Sequence, residues 1–306
     1  MTIEVHGLFK KFGAVPAVND LSFTVQRGQV YGFLGQNGAG KSTTIRMLLT
    51  LIQPTSGTIK IFDLDLKQHR KKILQQVGAI IEKPDLYNYL TALQNLEGMA
   101  TLSGVRLTKK EALRQLDRVG IGARANSTVK TFSQGMKQRL GIACALVHNP
   151  QLLILDEPTN GLDPQGIADV RNLILHLAHN EKKTVFVSSH LLSEIEIMAD
   201  AMLIIHGGRK VAEGTASELL DPAKTIVLVE TTNADKALQA LQNSTWAFEK
   251  VGATAIQLQL HRDAIAGLNK FLVERGVAVS ALTPRHALEN YFLSLTGTNY
   301  VAAAEA

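Results

Sequence analysis

The feature that most constrains this chain is the run Gly35-Gln36-Asn37-Gly38-Ala39-Gly40-Lys41-Ser42, which fits the spacing G-x-x-x-x-G-K-[ST]. An apolar strand signal, Val30–Leu34, comes before it, and a helical pattern, Lys41–Leu51, comes after. Glycines let the backbone curl closely around an anion with successive N–H groups pointing inward, and the positive end of the following helix adds to the pull on phosphate. The run is therefore expected to cradle a nucleoside triphosphate, with the backbone from Gly35 through Asn37, Gly38, Ala39 and Gly40 to Thr43 around the phosphates. Lys41 is expected to reach the β- and γ-phosphates and the Ser42 hydroxyl to ligate Mg²⁺.

A second signal is Leu152-Leu153-Ile154-Leu155-Asp156-Glu157, a continuous apolar run that ends in two acids. Buried parallel strands read this way, and ligands of such sheets gather at the carboxyl ends of the strands. Asp156 is expected to hold Mg²⁺ through water, and Glu157 to polarise the water that attacks the γ-phosphate.

Around these motifs the first two-thirds of the chain alternates strand and helix signals. Strand signals fall at Ile3–Leu8, Leu21–Val25, Val30–Leu34, Thr58–Phe62, Val77–Ile81, Leu152–Leu155, Thr184–Ser188 and Met202–Ile205. Helical patterns fall at Lys41–Leu51, Thr91–Leu102, Lys109–Val119, Gln134–His148 and Pro164–Asn180. This is the pattern of an α/β core with helices on both faces of a mostly parallel sheet. From about 84 to 148 strand signals stop, which points to an inserted helical subdomain. After Asp221-Pro222 the order becomes βαββαβ followed by a helix over Arg285–Leu295, which suggests a small ferredoxin-like appendage. The expected division is 1–220 and 221–306.

Composition narrows the class further. A single cysteine, Cys144, excludes an intramolecular disulfide framework and fits a reducing compartment. No apolar stretch approaches the roughly 18 residues that span a bilayer. The net charge of +5 is spread over scattered doublets, with one cluster at Lys67–Lys72 that reads first as a solvated helix face and second as a surface for anionic lipid or a membrane partner. Nothing in it calls for nucleic acid.

On the cradle and the acidic strand, the first 220 residues closely resemble the ATP-binding subunits of ABC transporters. The resemblance extends to Phe132-Ser133-Gln134-Gly135-Met136, similar to a family signature that usually reads Leu-Ser-Gly-Gly-Gln. It implies a P-loop NTPase core with an antiparallel β subdomain. It also implies that Ser133, Gln134 and Gly135 complete the ATP site of an opposite subunit, two ATP being held head to tail between two cassettes. Asn160–Asp163 resembles the loop that carries information across that dimer, with Asp163 near the nucleotide. Val185–His190 resembles the strand and switch histidine, and His190 is expected to contact the γ-phosphate. Phe12 stands where the family places the aromatic that stacks on adenine.

One departure stands out. Glu82 occupies the place of a usual glutamine that contacts Mg²⁺ and the attacking water, in the loop joining core to helical subdomain. A glutamate there, followed by Pro84-Asp85-Leu86-Tyr87, is similar to exporters of bacitracin-like and lantibiotic peptides, as is the run Leu288–Gly297. The resemblance implies a cytoplasmic ATPase peripheral to the membrane, working with separately encoded permease chains as a homodimer or heterodimer of cassettes. The competing reading, a soluble cassette ATPase acting on nucleic acid or ribosomes, calls for fused cassettes or long coiled coils, and the chain shows neither.

Overall fold

The computed structural model describes residues 1–219, 225–242 and 244–286. The chain divides into two compact units, Met1–Thr215 and Ala216–Ala306. The first opens with a hairpin of β1 (Ile3–Phe12) and β2 (Val15–Val25), after which β3 (Val30–Gly35) leads into α1 (Lys41–Leu48). Next come β4 (Ser56–Ile61), the short β5 (Leu64–Asp65), α2 (Arg70–Leu74) and β6 (Val77–Ile80). Helices α3 (Ala92–Leu102), α4 (Lys109–Arg118) and α5 (Gln134–Leu146) precede β7 (Leu152–Asp156). Helix α6 (Pro164–Leu175), β8 (Thr184–Ser189), α7 (Leu192–Met198), β9 (Ala201–His206) and β10 (Arg209–Thr215) complete the unit.

These strands form an antiparallel sheet of order β2-β1-β4-β5 and a six-stranded sheet of order β10-β9-β3-β8-β7-β6. In the second sheet β3, β6, β7, β8 and β9 run parallel, and β10 closes one edge antiparallel. Every residue of β3, β7 and β8 is buried, as expected of central parallel strands covered on both faces. The two sheets share one core, in which Phe23 stacks on Tyr31 and Phe33 at ring separations of 6.0 and 5.9 Å. The Tyr31 hydroxyl donates to Glu213 Oε1 at 2.9 Å. Burial, reinforced by that carboxylate, pushes the phenol far above its ordinary value.

Helices α3 and α4 each start on a capping box. Thr91 and Gln94 exchange bonds with one another's backbone, as do Thr108 and Glu111. Three helices are shorter than their patterns suggest, α5 by two residues at Leu146. The Lys41 helix ends at Leu48, with Thr50 in the left-handed region at φ 59°. The pattern Pro164–Asn180 is regular only to Leu175 and then loosens into a π-helical turn over His176–Asn180.

The second unit begins with the single turn α8 (Ala216–Leu219) and continues through β11 (Thr225–Thr231), α9 (Ala234–Leu241), β12 (Ala247–Val251), β13 (Ala255–Leu260), α10 (Ile265–Glu274) and β14 (Val279–His286). Its antiparallel sheet has the order β12-β13-β11-β14, the split-βαβ arrangement of a ferredoxin-like domain. Val227, Val229, Ile256 and Leu258 line one sheet face and pack with Leu268 and Leu272 of α10. Trp246 meets Phe271 edge-on at 5.1 Å. The expected helix from Arg285 is corrected at its start, because Arg285 and His286 belong to β14. Its remainder, the Leu288–Gly297 run and Asp221-Pro222 lie outside the described residues.

Candidate active site

The cradle is built where β3 turns into α1. Gly35 has no room for a side chain, since a Cβ would lie 2.7 Å from the Ile205 carbonyl oxygen. Gly40 adopts φ 104°, and a Cβ there would lie 2.5 Å from the Ala17 carbonyl oxygen of β2. Only glycine meets both demands. The loop tip at Asn37 and Gly38 is exposed, whereas Ala39 and Gly40 are buried. Ala39 N–H donates to Gln36 O at 3.1 Å and so closes the turn. Helix α1 then starts with no side-chain cap and no acidic residue in its first turn, leaving its positive end facing the loop. Ser42 and Thr43 sit half-buried in that turn.

Lys41 is 5% exposed and folds back along the loop. Its ammonium donates to Gly35 O at 2.6 Å and Gln36 O at 3.2 Å, and pairs with Glu157 Oε1 at 3.1 Å. Glu157 lies just past β7 in the left-handed region at φ 51°, a strained setting for a residue with a side chain. Its other oxygen, Oε2, is 2.8 Å from His190 Nδ1. An ionised carboxylate only accepts, so Nδ1 carries the proton in this pair and Nε2 is left as the second polar atom of the ring. The structure thus brings Lys41, Glu157 and His190 into one chain of contacts at the carboxyl ends of β3, β7 and β8.

Asp156 is 1% exposed. Its Oδ1 accepts from Ser188 Oγ at 2.5 Å, while its Oδ2 is buried without a hydrogen-bond partner. A buried carboxylate oxygen left bare is costly unless a cation is supplied, so this donor set fits a hard ion such as Mg²⁺. The described residues contain no group of three or more His, Cys, Asp or Glu placed to hold a metal.

The remaining expected site residues, Ser133, Gln134, Gly135, Asp163, Phe12 and Glu82, make contacts of their own. Ser133 caps α5, its Oγ accepting from Met136 N–H at 3.2 Å, and Ser133 and Gln134 are exposed while Gly135 is buried against Gly166 of α6. Among the described residues, these three share no hydrogen bond or ion pair with residues 35–43. Asp163 is exposed and caps α6 by accepting from Gly166 N–H at 3.1 Å. Phe12 ends β1, 52% exposed, with the Lys10 ammonium 5.0 Å from its ring centre. Glu82, at φ 60°, pairs with Arg46 Nη2 of α1 at 2.8 Å.

The sequence motifs assign no role to several side chains at the site. Ser188 bridges the acids, donating to Asp156 and accepting from Glu157 N–H at 2.9 Å. Glu194 receives hydrogen bonds from Thr159 and Ser189. The available signal was two serines ending an otherwise apolar buried strand, Val185-Phe186-Val187-Ser188-Ser189.

A glycine-rich anion loop on a parallel sheet, facing an acid–histidine pair, defines a P-loop nucleoside triphosphatase. Comparison with known proteins narrows this further. The ABC transporter family model matches residues 18–160. The bacitracin transport ATP-binding protein BcrA of Bacillus licheniformis is 42% identical over 299 residues, covering 96% of this chain and 97% of that protein. The lantibiotic transport ATP-binding protein SrtF of Streptococcus pyogenes is 42% identical over 211 residues, covering 69% of this chain and 90% of that protein. Among solved structures, cbiO1 of Clostridium perfringens, part of the ABC transporter complex cbiONQ, superposes with a TM-score of 0.64 at 26% identity, covering 71% of this chain and 89% of that one. With such likeness along nearly its whole length, the chain belongs to the ATP-binding subunits of ABC transporters and is an ABC-type ATPase.

Proposed function

We propose that this subunit powers export of a peptide antibiotic or a related drug, driving permease chains encoded separately. The relatives named for bacitracin and lantibiotic transport support the substrate class. No helix among the described residues is long and apolar enough to cross a membrane, which accords with a motor peripheral to the cytoplasmic face.

The observation that carries the chemistry is the Lys41–Glu157–His190 chain. Lys41 exchanges its loop carbonyls and Glu157 for the β- and γ-phosphates of ATP. Glu157, released from that ion pair, accepts a proton from the attacking water, and His190 holds the carboxylate and the water in line. Asp156, Ser42 and Glu82 are the residues that would hold Mg²⁺, which when bound neutralises charge on the β- and γ-oxygens. Phe12 offers the adenine a ring face. Ser133, Gln134 and Gly135 act on the ATP of a second cassette, with Asp163 at the interface, so that ATP draws two cassettes together and hydrolysis lets them part. Residues 1–220 make up the motor, and 221–306 an accessory domain.

Glu157→Gln is expected to retain ATP binding, to lower phosphate release by roughly a hundredfold or more, and to accumulate an ATP-dependent dimer on gel filtration. Turnover at the parent rate removes Glu157 from its assigned role.

A further inference from the structure

Glu194 has no part in the chemistry described above, yet it lies at a junction of the site. It sits in the first turn of α7, four residues past His190, and is 9% exposed. A carboxylate withdrawn from water is unfavourable unless its oxygens are hydrogen-bonded. Here a single oxygen, Oε2, takes two hydroxyls. One is Thr159 Oγ1, from the loop that follows Glu157, and the other is Ser189 Oγ, 3.3 Å away at the end of β8.

Both donors belong to segments that carry reactive groups. Thr159 is itself buried and is two residues beyond Glu157, and its carbonyl accepts from Leu162 N–H at 3.2 Å. Asn160 N–H donates to Glu157 O at 3.2 Å, so Thr159 lies inside the turn that fixes the Glu157 backbone. On the other side, Ser189 immediately precedes His190, and its Oγ accepts from Leu191 N–H at 3.0 Å. Glu194 therefore clamps the segments on which Glu157 and His190 stand. Those two side chains meet at 2.8 Å although Glu157 is held at a positive φ that its own backbone disfavours.

We infer that Glu194 is a positioning residue for ATP hydrolysis, tying the loop after β7 to the end of β8 so that Glu157 and His190 stay in register for the attacking water. The inference rests on the reading of Glu157 and His190 as the hydrolytic pair. It assigns Glu194 a hydrogen-bonding role, so Gln at this position, which keeps an acceptor oxygen, preserves much of it.

The test compares Glu194→Ala, Glu194→Gln, Thr159→Val and the Glu194→Ala/Thr159→Val double variant of the full chain. Each is assayed for ATP turnover, ATP affinity and thermal midpoint. Displacing a reacting group slightly lowers the rate about tenfold to a hundredfold. Glu194→Ala is expected to lower kcat by that factor at unchanged KM, and Glu194→Gln to recover most of it. Thr159→Val is expected to resemble Glu194→Ala, and the double variant to be no worse than Glu194→Ala. Parent-level kcat in Glu194→Ala overturns the proposal, as does a loss of kcat that Glu194→Gln does not relieve. If Glu194→Ala is too unstable to assay, Thr159→Val alone decides, and full activity there overturns the clamp. Glu157→Gln, run alongside, separates the two readings: normal hydrolysis in that variant removes the hydrolytic pair itself, whatever Glu194 does.

Discussion

At the residue scale, what distinguishes this site is how few charges it buries and how tightly they are shared. Lys41 answers to two carbonyls and to Glu157, and Glu157 in turn answers to Lys41 and His190. Replacing Lys41 with Ala removes a charge-assisted donor from the phosphates and strips Glu157 of its cation. Hydrogen bonds to charged groups contribute about 1.5–3 kcal/mol, so ATP affinity should fall roughly tenfold to a hundredfold. Titration with ATP measures this directly, and unchanged affinity removes Lys41 from the site. The cradle was legible in sequence because its residues are consecutive and glycine alone satisfies the Gly35 and Gly40 constraints. The ties Ser188–Asp156, Thr159–Glu194 and Arg46–Glu82 were not, since each pairs residues 32 to 36 positions apart that meet only once the sheet is assembled.

At the scale of elements, the turn that follows α5 is anchored to β6 by a histidine. His148 Nε2 lies 3.1 Å from Val77 O, a pure acceptor, so Nε2 carries the proton, while Nδ1 is buried without a partner. Burial, more than any other factor, holds this imidazole below its ordinary value of 6.5, with the Lys183 charge acting in the same direction. A depressed folded value means the neutral ring is favoured in the native state, so its contribution is intact above 6.5 and is lost as pH falls through the lowered native value. The stability advantage of the parent over His148→Gln, read from urea unfolding, should therefore shrink between about pH 7.5 and 5. A gap that stays constant across that range contradicts the assignment. Element ends were less legible than element types. β10, whose residues are exposed or half-buried, offers no apolar alternation and went unseen. β14 runs through Pro284 because it pairs with one neighbour, β11, among the described residues, and an edge strand tolerates a residue that cannot donate. The parallel sheet was clear from its apolar strands and the ferredoxin-like order from the alternation of six short elements after residue 224, whereas the antiparallel sheet was expected from the family resemblance alone.

For the molecule as a whole, each unit has its own apolar core, and the larger one holds the only thiol. Burial pushes Cys144 up to about 12, and its sulfur is shielded within α5. A disulfide reagent at about pH 8 should leave the native protein unlabelled and find one thiol per chain after unfolding in urea. Labelling kinetics then report the opening of the nucleotide-binding unit alone, and prompt reaction in native buffer argues against this packing. The strand pairing has a consequence for how such a chain can vary. Asp156 stands opposite Ser188 across the parallel ladder. Adding or deleting one residue inside either strand would slide the two apart by about 3.3 Å and turn the acid toward the opposite face of the sheet. Descendants of this sequence are thus free to respell β7 and β8 with other apolar letters, but not to change how many letters each contains.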